Sequence, residues 1–305
     1  MDWQARIEAA GQRVAGHVRQ TPLAVLEVPG VGAVALKLEQ MQHTGSFKAR
    51  GAFNALLSGP VPDAGVVAAS GGNHGAAVAF AAARLGLAAT IYVPEMAGPA
   101  KIALIRAQGA ECVVVPGDYA AAAELAQAHG VRSGAMQVHA YDAEATVAGQ
   151  GSLMREWEAQ GLSADTVLIA VGGGGLIAGA LGWLGGRRRV VAVEPELAPT
   201  LNRALAEGPE AQVAVGGIAA NALGARQIGG ICYELARGNV TSVLVDEAAI
   251  VTAQRMLWTC LRQLVEPAGA VALAALISGR YVPARGERVA ILVCGANIAP
   301  DPFGG

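Results

Sequence analysis

The residue best suited to covalent chemistry is Lys48, in the run His43-Thr44-Gly45-Ser46-Phe47-Lys48-Ala49-Arg50-Gly51-Ala52. It follows a small polar turn and precedes a pattern that favours a helix, so its amine can be held pointing into a site. A lysine held in this way can form a Schiff base with a carbonyl compound. Because an isolated lysine on a helix is more often a solvated surface residue, the prediction that Lys48 is catalytic depends on the other motifs.

Two glycine-rich loops each follow a strand-like run and precede a helix-like run. The first is Ser70-Gly71-Gly72-Asn73-His74-Gly75, and the second is Gly172-Gly173-Gly174-Gly175-Leu176. Glycines let the backbone approach a ligand closely, and the free amides at a helix N-terminus bind anions. We therefore predict a carboxylate site at the first loop and a phosphate site at the second. A plain tight turn is the alternative for the first loop.

The second glycine loop also fits a dinucleotide-binding pattern. Gly173, Gly175 and Ala178 match the spacing G-x-G-x-x-G/A, and Glu194 ends a later strand-like run, where a ribose-binding acid would lie. An NAD-binding oxidoreductase is therefore an alternative. It leaves Lys48 and Asn73 unexplained.

Composition and charge exclude several classes of protein. Of the 305 residues, 53% are apolar and 15% are charged, which excludes a disordered chain and is enough for two domains with cores. The net charge is −2 and the one arginine cluster, 187–189, is short, so we expect no nucleic-acid partner. The N-terminus lacks an apolar signal core, and widely spaced cysteines are typical of a cytoplasmic protein. These are Cys112, Cys232, Cys260 and Cys294.

Segment 166–186 carries no charge and is long enough to span a bilayer. Four consecutive glycines divide it into a short strand-like run and a helix-like run. We therefore predict no membrane partner.

Short β-branched runs alternate with alanine-rich helical patterns along most of the chain. The predicted strands are 66–69, 90–93, 112–115, 136–139, 167–171, 190–193, 242–245 and 289–293. The predicted helices include 75–85, 101–108, 119–129, 143–160 and 247–264. This alternation is typical of parallel sheets with helices on both faces, so the predicted fold class is α/β.

Four separated motifs together resemble those of the pyridoxal-phosphate enzymes of fold type II, in the branch of threonine and serine dehydratases (ammonia-lyases) and serine racemase. The Lys48 run resembles S-F-K-x-R-G, and the two glycine loops resemble S-x-G-N-H-G and G-G-G-G-L. Val293-Cys294-Gly295-Ala296-Asn297 resembles the strand end beside the cofactor ring. The resemblance implies two α/β domains, each a mostly parallel sheet flanked by helices. The large cofactor-binding domain would be 1–51 and 144–305, and the small domain 52–143.

The resemblance also implies pyridoxal 5'-phosphate as the cofactor and gives each motif a role. Lys48 would anchor the cofactor and remove the α-proton of the substrate. Asn73 would bond the phenolic oxygen of the cofactor, while Phe47 would pack on its ring and Cys294 would face the ring nitrogen. The cofactor phosphate would bind Gly172, Gly173, Gly174, Gly175 and Leu176. The substrate carboxylate would bind at Ser70, Gly71, Gly72 and His74.

Two further assignments follow from the resemblance. Glu266 matches a glutamate near the cofactor ring, although an acid just before Pro267 is also typical of a helix start. Glu194 and the carbonyl of Ala198 match ligands of a divalent or monovalent cation.

Cys294 has consequences for the reaction. A thiol cannot hold the ring nitrogen protonated as a carboxylate does, which favours elimination of a β-substituent over reactions that need a long-lived carbanion. The alternative for Cys294 is a small buried apolar residue.

The chain departs from the family in three places. Gly71 replaces a second serine that serves the racemase as an acid-base group, Asn221 replaces an acidic residue near the substrate, and Thr200 replaces an aspartate near the cation.

We therefore expect β-elimination from a β-hydroxy amino acid, L-threonine or L-serine, giving a 2-oxo acid and ammonia, by a homodimer. The chain ends soon after the last motif, so we expect an unregulated, catabolic enzyme. The alternatives are a dehydratase of a bulkier substrate (3-phenylserine or a hydroxyectoine-derived acid), a serine racemase, and the NAD-binding oxidoreductase.

Overall fold

The computed structural model describes residues 1–117 and 119–298. The α-helices in these ranges are α1 (Trp3–Val14), α2 (Lys48–Leu57), α3 (Asn73–Arg84), α4 (Pro99–Ala107), α5 (Tyr119–Ser133), α6 (Glu144–Ala159), α7 (Gly175–Leu184), α8 (Thr200–Glu207), α9 (Ala220–Leu223), α10 (Gly230–Ala236), α11 (Glu247–Leu261) and α12 (Pro267–Ile277). The strands are β1 (Leu23–Val28), β2 (Gly32–Leu38), β3 (Val66–Ala69), β4 (Ala89–Pro94), β5 (Glu111–Val115), β6 (Met136–Gln137), β7 (Thr166–Ala170), β8 (Arg189–Pro195), β9 (Val240–Val245) and β10 (Val289–Val293). The predicted α/β class is confirmed.

The larger sheet has six strands in the order β1-β2-β10-β7-β8-β9. Only β1 and β2 pair antiparallel, and the other neighbours are parallel. The central strands β7 and β10 are buried along their whole length, as parallel strands covered on both faces must be. The predicted mostly parallel sheet is confirmed, but the strand assignment missed β1 and β2, which form the antiparallel pair.

The missed strands form a hairpin at the edge of the sheet. The loop between them is Pro29-Gly30-Val31, and Gly30 has a φ of 78°, which glycine adopts without strain. Pro-Gly is a turn signal. The hairpin has no helix between its strands, so a search for alternating strands and helices passes over it.

The smaller sheet is entirely parallel, in the order β5-β4-β3-β6. Its strands all lie between residues 66 and 137. The last of them covers only Met136–Gln137 and is shorter than the predicted 136–139. The division of the chain into 1–51 with 144–305 and 52–143 stays a prediction, which the existence of two separate sheets supports.

Parallel strands place the glycine loops where α/β proteins bind ligands, at the carboxyl ends of the strands. The loop after β3 leads into α3, the loop after β7 leads into α7, and Cys294 follows β10 directly. Helix α3 begins at Asn73, earlier than predicted, so this residue lies in its first turn. Helix α2 packs against both α3 and α6. No helix in the described ranges has the length and apolar character needed to cross a bilayer.

Candidate active site

Lys48 begins α2 directly beside the carboxyl end of β10. The Phe47 amide donates a 3.3 Å hydrogen bond to the Cys294 carbonyl, and the Ala296 amide donates a 2.9 Å bond to the Gly45 carbonyl. Thr44 turns the chain before these bonds with a left-handed φ of 59°. The backbone leading to Lys48 is therefore attached to the strand that carries Cys294.

The amine of Lys48 points into a cleft. Its Nζ donates a 2.7 Å hydrogen bond to the Ala140 carbonyl and lies 5.2 Å from the centroid of the Phe47 ring. Burial favours the uncharged amine and lowers the pKa of Lys48 to about 8. A substantial fraction of the molecules therefore carries a free amine, able to act as nucleophile or base, slightly above neutral pH.

The main cleft, which contains this amine, encloses about 460 Å³ of space, part of it open to solvent. It brings together all the predicted cofactor-binding residues with five others. The lining residues are Phe47, Lys48, Asn73, Tyr141, Ala170, Gly172, Gly173, Gly174, Gly175, Leu176, Ala222, Leu223, Glu266, Ala268 and Cys294.

The loop 172–175 has room for no side chain. A Cβ added at Gly172 would lie 2.8 Å from the Leu223 Cα, and one at Gly173 would collide with the Tyr141 ring. Gly174 has a φ of 93°, and an added Cβ would collide with Cys232. Because α7 begins at Gly175, its unpaired N-terminal amides face this loop. The bare backbone and the helix N-terminus fit the phosphate of pyridoxal phosphate.

Asn73 and Glu266 form a hydrogen-bonded pair across the cleft. The side-chain amide of Asn73 donates a 2.6 Å bond to Oε1 of Glu266, and its oxygen accepts a 2.8 Å bond from the Asn297 amide. Glu266 immediately precedes α12 but makes no side-chain bond to the helix start. The bond to Asn73 gives Glu266 a partner in the cleft in addition to its position at the helix start, and its role near the cofactor ring stays a prediction. Burial raises the pKa of Glu266 to about 7.

The loop 70–74 offers backbone groups to a ligand. The hydroxyl of Ser70 accepts a 3.1 Å bond from the Gly72 amide. A Cβ on Gly71 would lie 2.6 Å from the Ala97 Cβ, whereas one on Gly72 would lie 3.5 Å from Nζ of Lys101. His74 is buried, and its Nε2 donates a 2.9 Å bond to the Val138 carbonyl.

His74 is therefore uncharged and already bonded. Burial lowers the pKa of His74 to about 3, and a carbonyl can only accept, so the proton lies on Nε2. The imidazole attaches this loop to the segment after β6. A role for the His74 ring in binding the substrate stays a prediction that this geometry does not favour.

Cys294 lines the main cleft as a neutral thiol. Its Sγ donates a 3.3 Å bond to the Ala268 carbonyl, and the residue is buried. Burial raises the pKa of the Cys294 thiol. An uncharged group at this position is the chemistry predicted for the partner of the cofactor ring nitrogen.

The predicted cation ligand Glu194 lies beside the start of α8. Both carboxylate oxygens of Glu194 accept backbone bonds at the start of α8, from Leu201 at 2.6 Å and Asn202 at 2.8 Å. Thr200 donates its hydroxyl to the Ala225 carbonyl, and Ala198 is buried. Among residues 1–117 and 119–298, no cluster of three or more His, Cys, Asp or Glu side chains could hold a metal ion. The cation stays a prediction.

The geometry of Glu194 also weakens the dinucleotide alternative. A ribose-binding acid must present free oxygens to the sugar hydroxyls. The two oxygens of Glu194 are instead occupied at the start of α8.

Two residues near the reacting groups were not predicted. Tyr141 packs over the loop 172–175. Lys101 lies in a second, smaller cavity beside the main cleft, which we call the side cavity. It encloses about 290 Å³, part of it open, and is lined by Lys101, Ile218, Ala219, Asn221, Ala222, Glu266, Pro267, Ala268 and Asn297. The sequence offered one signal for Lys101, namely that lysine is rare in a chain whose other cations are mostly arginine.

Comparisons with known proteins identify relatives that cover most of this chain. Phenylserine dehydratase of Ralstonia pickettii is 38% identical over 286 residues, covering 90% of this chain and 86% of the relative. L-threonine ammonia-lyase of Geobacter sulfurreducens is 35% identical over 302 residues, covering 96% and 75%. The crystal structure of threonine deaminase from T.th. superposes with a TM-score of 0.90 at 34% identity, covering 98% of this chain and 99% of that one.

These matches confirm the resemblance to the dehydratase and racemase branch of fold type II. The family described as "Pyridoxal-phosphate dependent enzyme" matches residues 14–295. The chain therefore belongs to the family of pyridoxal-phosphate dependent enzymes.

Proposed function

We propose that this protein eliminates water from a β-hydroxy amino acid, L-threonine or L-serine, and releases a 2-oxo acid and ammonia. The observation that carries the proposal is the position of the Lys48 amine, which faces the same cleft as the loop 172–175, Asn73 and Cys294. The relatives named above as a phenylserine dehydratase and a threonine ammonia-lyase support the same reaction type.

Pyridoxal phosphate, when bound, supplies an aldehyde that condenses with amino groups and a ring that draws electrons from the substrate α-carbon. The bare loop 172–175 and the start of α7 would hold its phosphate. Asn73 and Cys294 would contact opposite ends of its ring. Lys48 would anchor it covalently.

Lys48 is the group that moves protons. With the cofactor and the substrate bound, its free Nζ would take the proton from the substrate α-carbon. The pKa of about 8 makes it a base that is partly free near neutral pH. The hydrogen bond to the Ala140 carbonyl gives the amine a fixed direction.

The substrate loses its α-proton and its β-hydroxyl, which leave together as one water molecule. The resulting enamine gains a proton at its β-carbon and loses one from its nitrogen to become an imine, and one water hydrolyses the imine to a 2-oxo acid and ammonia. During these steps the loop 70–72 would hold the substrate carboxylate. Ser70 stabilises that loop through its bond with the Gly72 amide.

A bulkier substrate is the second candidate. The relative that is 38% identical is named a phenylserine dehydratase. The side cavity opens beside the main cleft and has several apolar lining residues, among them Ile218, Ala219 and Pro267, so it could receive a phenyl group.

Borohydride reduction followed by peptide mapping tests the function. The purified holoenzyme should be yellow, and borohydride should bleach it while fixing the cofactor to the peptide that contains Lys48. Lys48→Ala loses both the fixed cofactor and elimination, whereas Lys101→Met, which changes the neighbouring buried lysine, keeps the fixed cofactor. A cofactor fixed elsewhere, or Lys48→Ala turning over at the wild-type rate, contradicts the assignment.

We also propose that the protein is a cytoplasmic homodimer. The edge strand β1 exposes Leu23 and Val25, and an exposed apolar edge is suited to burial against a second copy. Light scattering after size exclusion gives the mass. Val25→Lys should shift the mass toward the monomer if β1 lies in the interface.

A further inference from the structure

Lys101 is a lysine in an unusual place. The chain contains only three lysines, at positions 37, 48 and 101. Lys101 is 5% exposed, in the first turn of α4. A cation at the N-terminus of a helix opposes the helix dipole, so its charge does not stabilise α4.

The amine of Lys101 has few partners. Its Nζ donates one long bond, 3.4 Å, to the Asn221 carbonyl, and no carboxylate of the described residues lies within ion-pair distance of it. Lys37, which is also buried, donates to the Thr21 carbonyl at 2.9 Å and to Glu156 at 2.6 Å. A buried ammonium with three donors and one weak partner lacks the compensation that burial demands.

The free side of this ammonium faces the side cavity. The side cavity shares Ala222, Glu266 and Ala268 with the main cleft, so the two spaces adjoin. Gly72, in the loop that would hold the substrate carboxylate, lies on the same side, since its added Cβ would be 3.5 Å from Nζ. A group in the side cavity would therefore belong to the side chain of a substrate that reacts in the main cleft.

The charges around the side cavity favour an anion. Asn221 contributes a neutral side chain and a carbonyl. Glu266 is the one acidic group in the lining, and burial raises its pKa to about 7, so it is partly protonated near neutral pH. The start of α4 and the ammonium of Lys101 attract negative charge. Burial lowers the pKa of Lys101, and a bound anion would restore its protonated form.

We propose that Lys101 binds a carboxylate on the substrate side chain, so that the protein prefers β-hydroxy amino acids of the 3-hydroxyaspartate class. This inference rests on the proposed elimination and names the substrate for it. The loop 70–72 would hold the α-carboxylate while Lys101 holds the side-chain carboxylate.

Steady-state kinetics of the holoenzyme test the preference. L-threo-3-hydroxyaspartate should exceed L-serine and L-threonine in kcat/KM by roughly tenfold or more. Lys101→Met should abolish most of this preference, Lys101→Arg should keep part of it, and Asn221→Asp should reduce it by pairing the ammonium. Arg106→Met removes an exposed cation from the same helix and should leave the ratio unchanged.

Binding of substrates that cannot eliminate gives a second measurement. L-aspartate and L-alanine lack the β-hydroxyl, and calorimetry in buffers of different ionisation enthalpy reports both affinity and proton uptake. Lys101→Met should weaken the binding of L-aspartate but not that of L-alanine, and it should remove the proton uptake that accompanies L-aspartate binding. Thermal unfolding of each variant verifies that it is folded.

Two results would overturn the inference while leaving the proposed function intact. One is wild-type activity on L-serine without preference for hydroxyaspartate. The other is an equal loss of kcat/KM for all substrates in Lys101→Met, which would mean that Lys101 binds the α-carboxylate that all of them share. No elimination from any β-hydroxy amino acid would instead sink the proposed function.

Discussion

Glu39 and Arg50 form a doubly hydrogen-bonded ion pair in the interior of the protein. Nε of Arg50 donates to Oε2 of Glu39 at 2.8 Å, and its terminal amino group donates to Oε1 at 2.7 Å. Both residues are at most 1% exposed. Because Arg50 lies in the first turn of α2, this pair ties the helix that begins at Lys48 to the segment following β2.

Breaking this pair should destabilise the protein strongly. Arg50→Met leaves Glu39 without its charge partner in the interior, at a cost of about 3–5 kcal/mol. Urea denaturation measures the loss, and a lower cofactor occupancy should accompany it because Lys48 loses its fixed position.

The exposed pair of Arg203 and Glu207 provides the control. Both side chains are 52% exposed, so Arg203→Met should cost at most about 1 kcal/mol. Equal losses of free energy of unfolding in the two variants would show that the interior pair of Glu39 and Arg50 stabilises the protein no more than an exposed pair does.

The loop 172–175 leads to a prediction about cofactor binding. Gly174→Ala introduces strain at a φ of 93° and a collision with Cys232. It should lower the affinity for pyridoxal phosphate, measured by equilibrium dialysis, by roughly tenfold or more, because the phosphate amides must move.

Gly161→Ala is matched to it in backbone conformation. Gly161 has a φ of 92° with open space around its Cβ position. Gly161→Ala should lower the free energy of unfolding only by the backbone strain, about 1–2 kcal/mol, and leave the affinity for the cofactor unchanged. If both variants bound the cofactor normally, this loop would not be the phosphate site.

The motifs that could be predicted from the sequence are those whose signal is local. The strand, glycine loop and helix around Gly172–Gly175 and around Ser70–Gly75 are contiguous in the chain, so their order alone places them at one edge of a sheet. The position of Cys294 at a strand end was predictable for the same reason, since it directly follows β10, whereas its role toward the cofactor ring stays a prediction.

The features that escaped prediction depend on distant parts of the chain. Lys101 looks like a surface lysine until α4 packs beside Asn221. The Ala140 carbonyl that accepts from Lys48 carries no sequence signal at all. The bond between Asn73 and Glu266 joins residues 193 positions apart, and the sequence does not indicate that pairing. Non-local packing decides each of these contacts.

The raised pKa of Glu266 has a consequence for stability against pH. Its carboxyl group keeps a proton up to about pH 7 in the folded protein but loses it near 4.5 when unfolded. The folded state binds more protons between these values, so this group lowers the free energy of unfolding as pH rises from 4.5 to 7.

Glu266→Gln should remove that loss. In the apoprotein, the free energy of unfolding of this variant should rise relative to that of the wild type as pH increases from 4.5 to 7, by up to about 3 kcal/mol. The other groups, Glu194 and His74 included, cancel in the difference. Urea denaturation at several pH values gives both curves, and parallel curves would mean that Glu266 titrates normally.

Cys294 should control which reaction follows removal of the α-proton. Cys294→Asp places an acid at the predicted position of the ring nitrogen, which should raise transamination relative to elimination. Chromatography of the 2-oxo acid and of the amino form of the cofactor gives the ratio. Cys294→Ser, which keeps an uncharged group, should preserve elimination. An unchanged ratio in both variants would place Cys294 away from the ring.

Because Gly71 has no side chain, we predict that elimination proceeds without racemisation of the substrate. A racemase needs a proton donor on the face of the substrate opposite Lys48, and Gly71 has no side chain to provide one. An unpositioned water is slower by a factor on the order of a hundred or more, so L-serine should give pyruvate with negligible D-serine. Chiral chromatography decides this, since comparable rates for D-serine and pyruvate would identify a racemase.

Installing the missing donor requires a second change. A Cβ on Gly71 would lie 2.6 Å from the Ala97 Cβ, so Gly71→Ser alone should displace the loop and lower elimination. Gly71→Ser combined with Ala97→Gly removes this contact and should add detectable D-serine, with Ala97→Gly alone as the control. If the double variant eliminates at the rate of that control and forms no D-serine, position 71 does not face the substrate.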